Sequence, residues 1–216
     1  MRNDYVSRAG DDLNAIAGHL TEVDLQENLI CQWQEIGNFG VALPLLTTLL
    51  LHGNKLEPLT AELAEYLRAH NCLAGFEVLA LNGCGIRSWT TLQHLHNFLP
   101  NLQELYLSNN DLSDLPGADE NGQVSAVFVS GEFSLLPSAP SFLLGSPVSL
   151  PPKEFPKLRI LDVSFCQISD WSQLQAFGRL PALKELVLDG NPLSSLPAPA
   201  PDTFLELQRL SLGSTG

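Results

Sequence analysis

Apolar and polar residues follow a fixed order in the stretch LQELYLSNNDL, which ends at Leu112. The apolar positions are Leu102, Leu105, Leu107 and Leu112, with Asn110 before the last of them. The alternation around Leu105 predicts a short strand whose leucines face inward. Asn110 follows where the chain must turn, and its amide can pair with backbone groups that the turn leaves free. One such unit cannot bury its own leucine face, so the pattern predicts neighbouring copies.

The same frame, L-x-x-L-x-L-x-x-N-x-L, recurs along the chain and is the pattern of leucine-rich repeats. The turn positions of the seven copies are Asn28, Asn54, Cys84, Asn110, Cys166, Asn191 and Thr215. Subtraction gives separations of 26, 30, 26, 56, 25 and 24 residues, against roughly 20–29 for one repeat. We therefore predict an α/β leucine-rich repeat solenoid, with a curved parallel sheet on the concave side and helices and irregular segments on the convex side. The predicted strands are 23–25, 49–51, 79–81, 105–107, 161–163 and 186–188.

The repeat domain is predicted to occupy residues 19–216, with about seven to eight repeats, after a lead-in without a repeat frame at 1–18. Helical spacing of apolar residues predicts return helices at 60–70 and 91–99. Asp170 and Gln173 resemble a capping pair at the start of a further helix. No polar capping unit covers the last leucine face, so we expect a fragment of a longer protein.

The separation of 56 residues is twice the usual one and predicts a repeat inside it. Val124, Val127 and Val129 fit the strand positions, which would place Phe128 beside Tyr106 on the neighbouring strand. In the alternative, an irregular insertion rich in Pro, Ser and Gly near 117–153 leaves the sheet and no strand intervenes.

Three tryptophans and four cysteines are assigned structural roles. Trp33, Trp89 and Trp171 each lie five residues after a turn position, in a slot that other repeats fill with leucine, which predicts core packing. The cysteines, two of them at turn positions, lack C-x-x-C spacing and are expected to be buried free thiols. Free thiols indicate an intracellular chain, and we expect it in the cytoplasm.

Charge and motifs exclude several functions. The net charge of −13 argues against nucleic acid and membrane as partners, because phosphate contacts need clustered Lys and Arg, and it favours a basic patch on a protein partner. The sequence contains no run of about 18 apolar residues, so no membrane span is predicted. The sequence has no phosphate loop, H-E-x-x-H or G-x-S-x-G motif. We therefore expect a monomeric, non-enzymatic chain with no catalytic residues, no metal site and no cofactor.

Strand residues between the leucines form columns across the predicted concave face, and these columns are the candidate protein-binding surface. One column is apolar and aromatic at its centre, and the next is polar, an arrangement typical of protein interfaces. The candidate binding residues are Leu50, His52, Tyr106, Phe128, Asp162 and Asp189.

Several longer motifs resemble one family. The runs LTEVDLQENLICQWQEI and FEVLALNGCGIRSW, the second followed by LPNLQELYLSNNDL, are similar to successive repeats of the tubulin-folding cofactor E family. The segment from FPKLRILDVSFCQISDW to LKELVLDGNPL is similar to a later part of the same family. The matched segments cover about 20–115 and 155–196, whereas residues 116–154 depart from the family pattern. Family members usually also carry an upstream glycine-rich cytoskeleton-associated domain and a downstream ubiquitin-like domain, and neither is in this sequence.

The resemblance implies a protein-binding domain of a tubulin-specific chaperone, without catalysis. It implies a role in assembling or dissociating the α/β-tubulin heterodimer, with α-tubulin and other tubulin-folding cofactors as partners, and an association with the cytoskeleton and microtubules. The open alternative is a leucine-rich repeat scaffold of another class, such as a phosphatase- or axoneme-associated adaptor.

Overall fold

The computed structural model describes residues 6–10, 12–96, 98–113, 155–174, 177, 180–193, 204 and 206–213. In this part of the chain seven strands form one parallel sheet, in chain order. This arrangement confirms the leucine-rich repeat solenoid with its curved parallel sheet. The strands are β1 Glu22–Asp24, β2 Thr48–Leu50, β3 Val78–Ala80, β4 Glu104–Tyr106, β5 Ile160–Asp162, β6 Glu185–Val187 and β7 Arg209–Ser211.

All six predicted strands are present, each beginning and ending one residue earlier than predicted. Backbone pairing nevertheless continues past the strand ends. The Leu51 amide donates to the Ala80 carbonyl at 2.8 Å, and the Gly53 amide donates to the Asn82 carbonyl at 2.8 Å. The repeat frame therefore identified the paired region correctly.

The central residue of each strand from β2 to β6 is a leucine of the continuous core, and β1 has Val23 at this position. These leucines lie opposite one another in register. Each is at most 1% exposed: Leu49, Leu79, Leu105, Leu161 and Leu186. Leu210 on β7, with a neighbouring strand on one side, is 43% exposed. Burial of a central leucine therefore depends on the repeats on both of its sides.

The turn asparagines connect adjacent repeats. Asn110 is 6% exposed, and its Nδ2 donates to the carbonyls of Leu107 at 2.7 Å and Leu81 at 2.9 Å. Its Oδ1 accepts from the Ile86 amide at 3.0 Å. Asn54 and Asn191 make the equivalent bonds in their repeats. One side chain thus satisfies three backbone groups that no water reaches, as the repeat pattern predicted.

Helix α1 Leu13–Ala17 lies in the lead-in. Further helices occupy return segments on the convex side: α2 Trp33–Ala42, α3 Ala61–Ala69, α4 Trp89–His96 and α5 Trp171–Leu174. The predicted helices at 60–70 and 91–99 correspond to α3 and α4. Thr60 caps α3, since its Oγ1 accepts from the Leu63 amide at 3.3 Å. Gln173 Oε1 accepts from the Asp170 amide at 3.1 Å, which confirms the predicted capping pair at α5.

In the sheet β4 pairs directly with β5, although 56 residues separate their turn positions. Glu104 pairs directly with Ile160 and Tyr106 with Asp162, and the Asn109 amide donates to the Ser164 carbonyl at 2.9 Å. These bonds occupy the edge of β4, so the strand predicted around Phe128 is wrong as a neighbour of Tyr106. Residues 114–154, including Phe128 itself, lie outside the described residues.

The first tryptophan and three of the four thiols are buried as predicted, whereas Cys31 is exposed. Trp33 opens α2, is 1% exposed and donates through Nε1 to the Glu57 carbonyl at 2.9 Å. All four cysteines are free. Burial raises the pKa of Cys84 and of Cys166 to about 12, and each thiol donates to the carbonyl of a preceding repeat at 3.1 Å. These two thiols are packing groups and not nucleophiles.

The lead-in lies against the first repeat. Asn28 Oδ1 accepts from the Val6 amide at 2.7 Å, and the Leu29 amide donates to the Val6 carbonyl at 3.0 Å. Glu35 also accepts from the Ala9 amide at 3.2 Å. Ala9, Leu13 and Ala17 of this segment also pack against the hydrophobic core.

Candidate protein-binding face

Three columns of side chains point away from the leucine core, because successive strand residues face opposite sides of a sheet. The first column precedes the central leucine: Glu22, Thr48, Val78, Glu104, Ile160, Glu185 and Arg209. The second column follows it: Asp24, Leu50, Ala80, Tyr106, Asp162, Val187 and Ser211. The third column lies two residues further on: Gln26, His52, Asn82, Ser108, Ser164, Asp189 and Gly213.

The candidate binding residues are distributed over two of these columns. Leu50, Tyr106 and Asp162 lie in the second column, where Tyr106 is flanked by Ala80 and Asp162. His52 and Asp189 lie in the third column, on the repeats of β2 and β6. Four strand spacings separate these two repeats, about 19 Å along the sheet. Tyr106 and Asp162 are therefore brought together, whereas His52 and Asp189 are not.

Acidic and apolar residues alternate where β4, β5 and β6 meet. In the first column Ile160 lies between Glu104 and Glu185, and in the second column Asp162 lies between Tyr106 and Val187. All six side chains are half-buried. We call these six residues the β4–β6 checkerboard. The sequence pattern predicted an apolar centre here. Because β4 pairs directly with β5, carboxylates alternate with the apolar residues instead.

The hydrogen bond and the pKa of Tyr106 reflect the negative charge around its hydroxyl. Its hydroxyl donates to Glu104 Oε2 at 2.8 Å. Burial, together with this hydrogen bond and the charges of Glu104, Glu185 and Asp162, raises the pKa of Tyr106 to about 12. The phenol therefore stays neutral at physiological pH and serves as a hydrogen-bond donor with an apolar ring.

The aspartates at the downstream ends of the strands are held in place by hydrogen bonds. Asp162 Oδ1 accepts from the Ser164 amide at 2.9 Å. Asp189 Oδ1 accepts from the hydroxyl of Ser211 at 2.7 Å and also from the Gly213 amide. Asp24 accepts from the Gln26 amide at 3.0 Å in the same way. These carboxylates are fixed in orientation, so the surface presents its charge without a large entropic cost on binding.

Phe165 is a surface residue that sequence analysis missed. Its backbone φ is +54°, a left-handed conformation that is uncommon for a bulky residue, and its side chain is 51% exposed. The same position in other repeats has positive φ as well and holds Glu27, Gly53, Gly83, Asn109 and Gly190. Such strain costs about 1–3 kcal/mol and is concentrated at functional sites. The available signal was a phenylalanine in a slot where glycine or asparagine would be expected.

Three basic residues lie at the upstream edge of the sheet, away from Asp162 and Asp189. Lys157, Arg159 and Lys184 line a cavity of about 430 Å³ at the upstream edge of the sheet, together with Glu206. Arg159 and Lys184 precede β5 and β6, whereas Asp162 and Asp189 lie at or beyond the downstream ends of those strands. On the concave face itself Arg209 pairs with Glu185 at 2.9 Å. The two ends of these strands therefore carry opposite charge.

Within the described residues, no group of three or more His, Cys, Asp or Glu side chains is arranged to hold a metal ion. A search of the same residues finds no helix with the length and apolar character needed to cross a membrane.

The repeated frame and the sheet define a leucine-rich repeat protein, and a family model described as Leucine Rich Repeat matches residues 101–120. Tubulin-folding cofactor E from Arabidopsis thaliana is 32% identical over 185 residues, which cover 86% of this chain and 28% of that protein. Tubulin-specific chaperone E from Xenopus laevis is 28% identical over 204 residues, covering 94% of this chain and 32% of that protein. The resemblance to the tubulin-folding cofactor E family is thus confirmed over most of this chain.

The chain spans only about a third of the length of these curated relatives. Among solved structures, the crystal structure of an internalin from Listeria monocytogenes matches with a TM-score of 0.47 and 16% identity, covering 93% of this chain and 48% of that one.

Proposed function

We propose that this chain is a non-catalytic protein-binding domain that acts in tubulin folding, by binding α-tubulin during assembly or dissociation of the α/β-tubulin heterodimer. The observation that carries the proposal is the similarity to tubulin-folding cofactor E over 86% of the chain. A cytoplasmic, monomeric chain associated with the cytoskeleton is part of the same proposal.

The concave face supports a binding role. Tyr106, Asp162 and Asp189 are partly accessible, fixed in orientation and placed on rigid strands. Aromatic side chains in such settings often dominate binding energy. Leu50 and His52 extend the same face toward the first repeats. A partner that spans the concave side would contact all five residues.

The proposal is tested by measuring binding of purified α/β-tubulin to the immobilised chain and to the Tyr106→Ala variant. We expect the wild type to bind and the variant to bind at least about tenfold more weakly, because truncating an aromatic anchor commonly costs 2 kcal/mol or more. The melting temperature should stay close to that of the wild type, since Tyr106 does not fill the leucine core.

Tyr66→Ala is the matched control. Tyr66 is a 42% exposed aromatic on α3, on the opposite side of the solenoid, and its removal should leave tubulin binding unchanged. The proposal fails if the wild type does not retain tubulin. If the wild type binds tubulin and the Tyr106→Ala variant binds it equally well, the contact surface does not lie on the concave face around Tyr106.

A further inference from the structure

The left-handed conformation of Phe165 is imposed by a buried network on both sides of it. The Phe165 amide donates to the Asp189 carbonyl at 2.8 Å, and the next amide, of Cys166, donates to Asn191 Oδ1 at 3.0 Å. Asn191 and Cys166 are both fully buried. The repeat fixes this backbone whatever side chain occupies position 165, so the phenylalanine is not needed to form the turn.

The phenyl ring adds little to the core. It lies over Gly190, where an added Cβ would come within 2.1 Å of Phe165 Cε1, and half of its surface remains exposed. The previous repeat has Asn109 at this position, with φ of +58° and no aromatic group. A strained, exposed aromatic that the fold can replace with asparagine is well suited to act as a binding anchor.

Phe165 follows β5, the middle strand of the β4–β6 checkerboard, and the concave face of these strands is complementary to a particular kind of partner segment. In the β4–β6 checkerboard, Ile160 and Val187 alternate with Glu104, Asp162 and Glu185 in two adjacent columns. Glu185 pairs with Arg209 at 2.9 Å, whereas Asp162 and Asp189 form no ion pair with any described cation. A partner placed across these strands would meet carboxylates and apolar groups in turn.

We propose that the β4–β6 checkerboard, with Phe165 as its aromatic anchor, is the docking surface for a basic segment of the partner protein in which Lys or Arg alternates with apolar residues. The inference rests on the proposed function and names the chemistry of the partner at that surface. Charge complementarity identifies the occupant: the cationic residues pair with Asp162 and Glu104, and the apolar residues pack on Ile160, Val187 and the Phe165 ring.

Three labelled synthetic peptides test this proposal by fluorescence anisotropy on the complete chain. One peptide alternates arginine with leucine, the second alternates arginine with serine, and the third alternates glutamate with leucine. We expect the arginine–leucine peptide to bind at least about tenfold more tightly than either of the others. Its affinity should also fall as salt is raised. Equal binding of all three peptides, or tighter binding of the glutamate peptide, would overturn the proposal.

Two substitutions identify the residues involved, each with a matched control. Phe165→Asn installs the residue of the previous repeat and should weaken binding of the arginine–leucine peptide at least about tenfold, with a melting temperature equal to or above the wild type. The control Gln167→Asn changes a second residue of positive φ, at +62°, two positions away, and should not alter binding. A structural role for Phe165 would instead lower the melting temperature.

Asp162→Asn removes the charge and keeps an oxygen that can accept from the Ser164 amide. This substitution should weaken binding of the arginine–leucine peptide about fivefold. It should also reduce the dependence of that binding on salt concentration. Asp24→Asn is the equivalent change on β1 and should have no effect. The proposal is wrong if the Phe165→Asn and Asp162→Asn variants both bind the arginine–leucine peptide with an affinity within twofold of the wild type.

The same variants separate this inference from the proposed function. If tubulin binds the wild type and the Phe165→Asn variant equally, the proposed function stands and the docking surface is wrong. If the wild type binds the arginine–leucine peptide through Phe165 but does not retain tubulin, the docking surface stands and the proposed function fails.

Discussion

The Asn110 side chain stabilises two adjacent repeats through its hydrogen bonds. Its amide group pairs with two carbonyls and one backbone amide, from its own repeat and the one before it, in a position that is 6% exposed. Leaving a buried backbone group unpaired costs about 1–3 kcal/mol. The side chain therefore joins two repeats as well as closing its own turn.

We expect Asn110→Ala to lower the free energy of unfolding by about 3 kcal/mol or more, because three buried groups lose their partner at once. Urea denaturation followed by circular dichroism measures the change. Asn110→Cys should cost clearly less, since Cys84 and Cys166 occupy the same position and donate one bond through Sγ. Equal destabilisation by Ala and Cys would show that the hydrogen bonds of this position do not set its contribution.

At the scale of elements, α2 shows a conflict between propensity and packing. The helix contains Gly37 and Gly40, although glycine costs about 1 kcal/mol relative to alanine in a helix interior. A Cβ on Gly40 would lie 1.9 Å from the Cys72 carbonyl oxygen, and one on Gly37 would lie 2.5 Å from Leu67 Cδ2. The glycines allow α2 to approach the α3 repeat closely.

Gly40→Ala should therefore destabilise the chain by about 2 kcal/mol or more despite the better helix propensity of alanine, because the clash is with backbone. Gly37→Ala should cost less, since the contact is with the end of a leucine side chain that can rotate. The urea midpoints of the two variants give the comparison. A Gly40→Ala variant as stable as the wild type would mean that α2 can move outward freely.

The strands and helices differ in how well they could be predicted from the sequence. The strands were predictable because each repeats one frame whose leucines must all reach a common core. Helix α2 was not among the predicted helices, because its glycines serve a contact with Cys72 that is distant in sequence. The strand around Phe128 was predicted from the long separation and from three valines that fit the frame, without the Asn or Cys that occupies the turn position of the other full repeats. For the candidate site, the columns followed from the frame, whereas the juxtaposition of Tyr106 with Asp162 depended on which strands pair.

Charge distribution is a property of the whole molecule. The net charge of −13 is not spread evenly over the described surface, since carboxylates cluster on the concave face at β4–β6 and Lys157, Arg159 and Lys184 cluster at the upstream edge. Such a separation orients a charged partner before contact and raises the association rate. The acidic face is therefore suited to meet a basic region of a partner.

Stability of the whole solenoid should depend on position along the array, because each repeat contacts only its neighbours. Leu105 lies between Leu79 and Leu161 and is 1% exposed, whereas Leu210 is 43% exposed at the end of the sheet. Leu105→Ala should lower the free energy of unfolding by about 2–5 kcal/mol, and Leu210→Ala by less than about 1 kcal/mol. Hydrogen exchange should show lost protection in β3, β4 and β5 for the central variant and in β7 alone for the terminal one. Equal destabilisation by the two variants, or loss of protection confined to β4 for Leu105→Ala, would mean that the central repeats do not depend on one another for their burial.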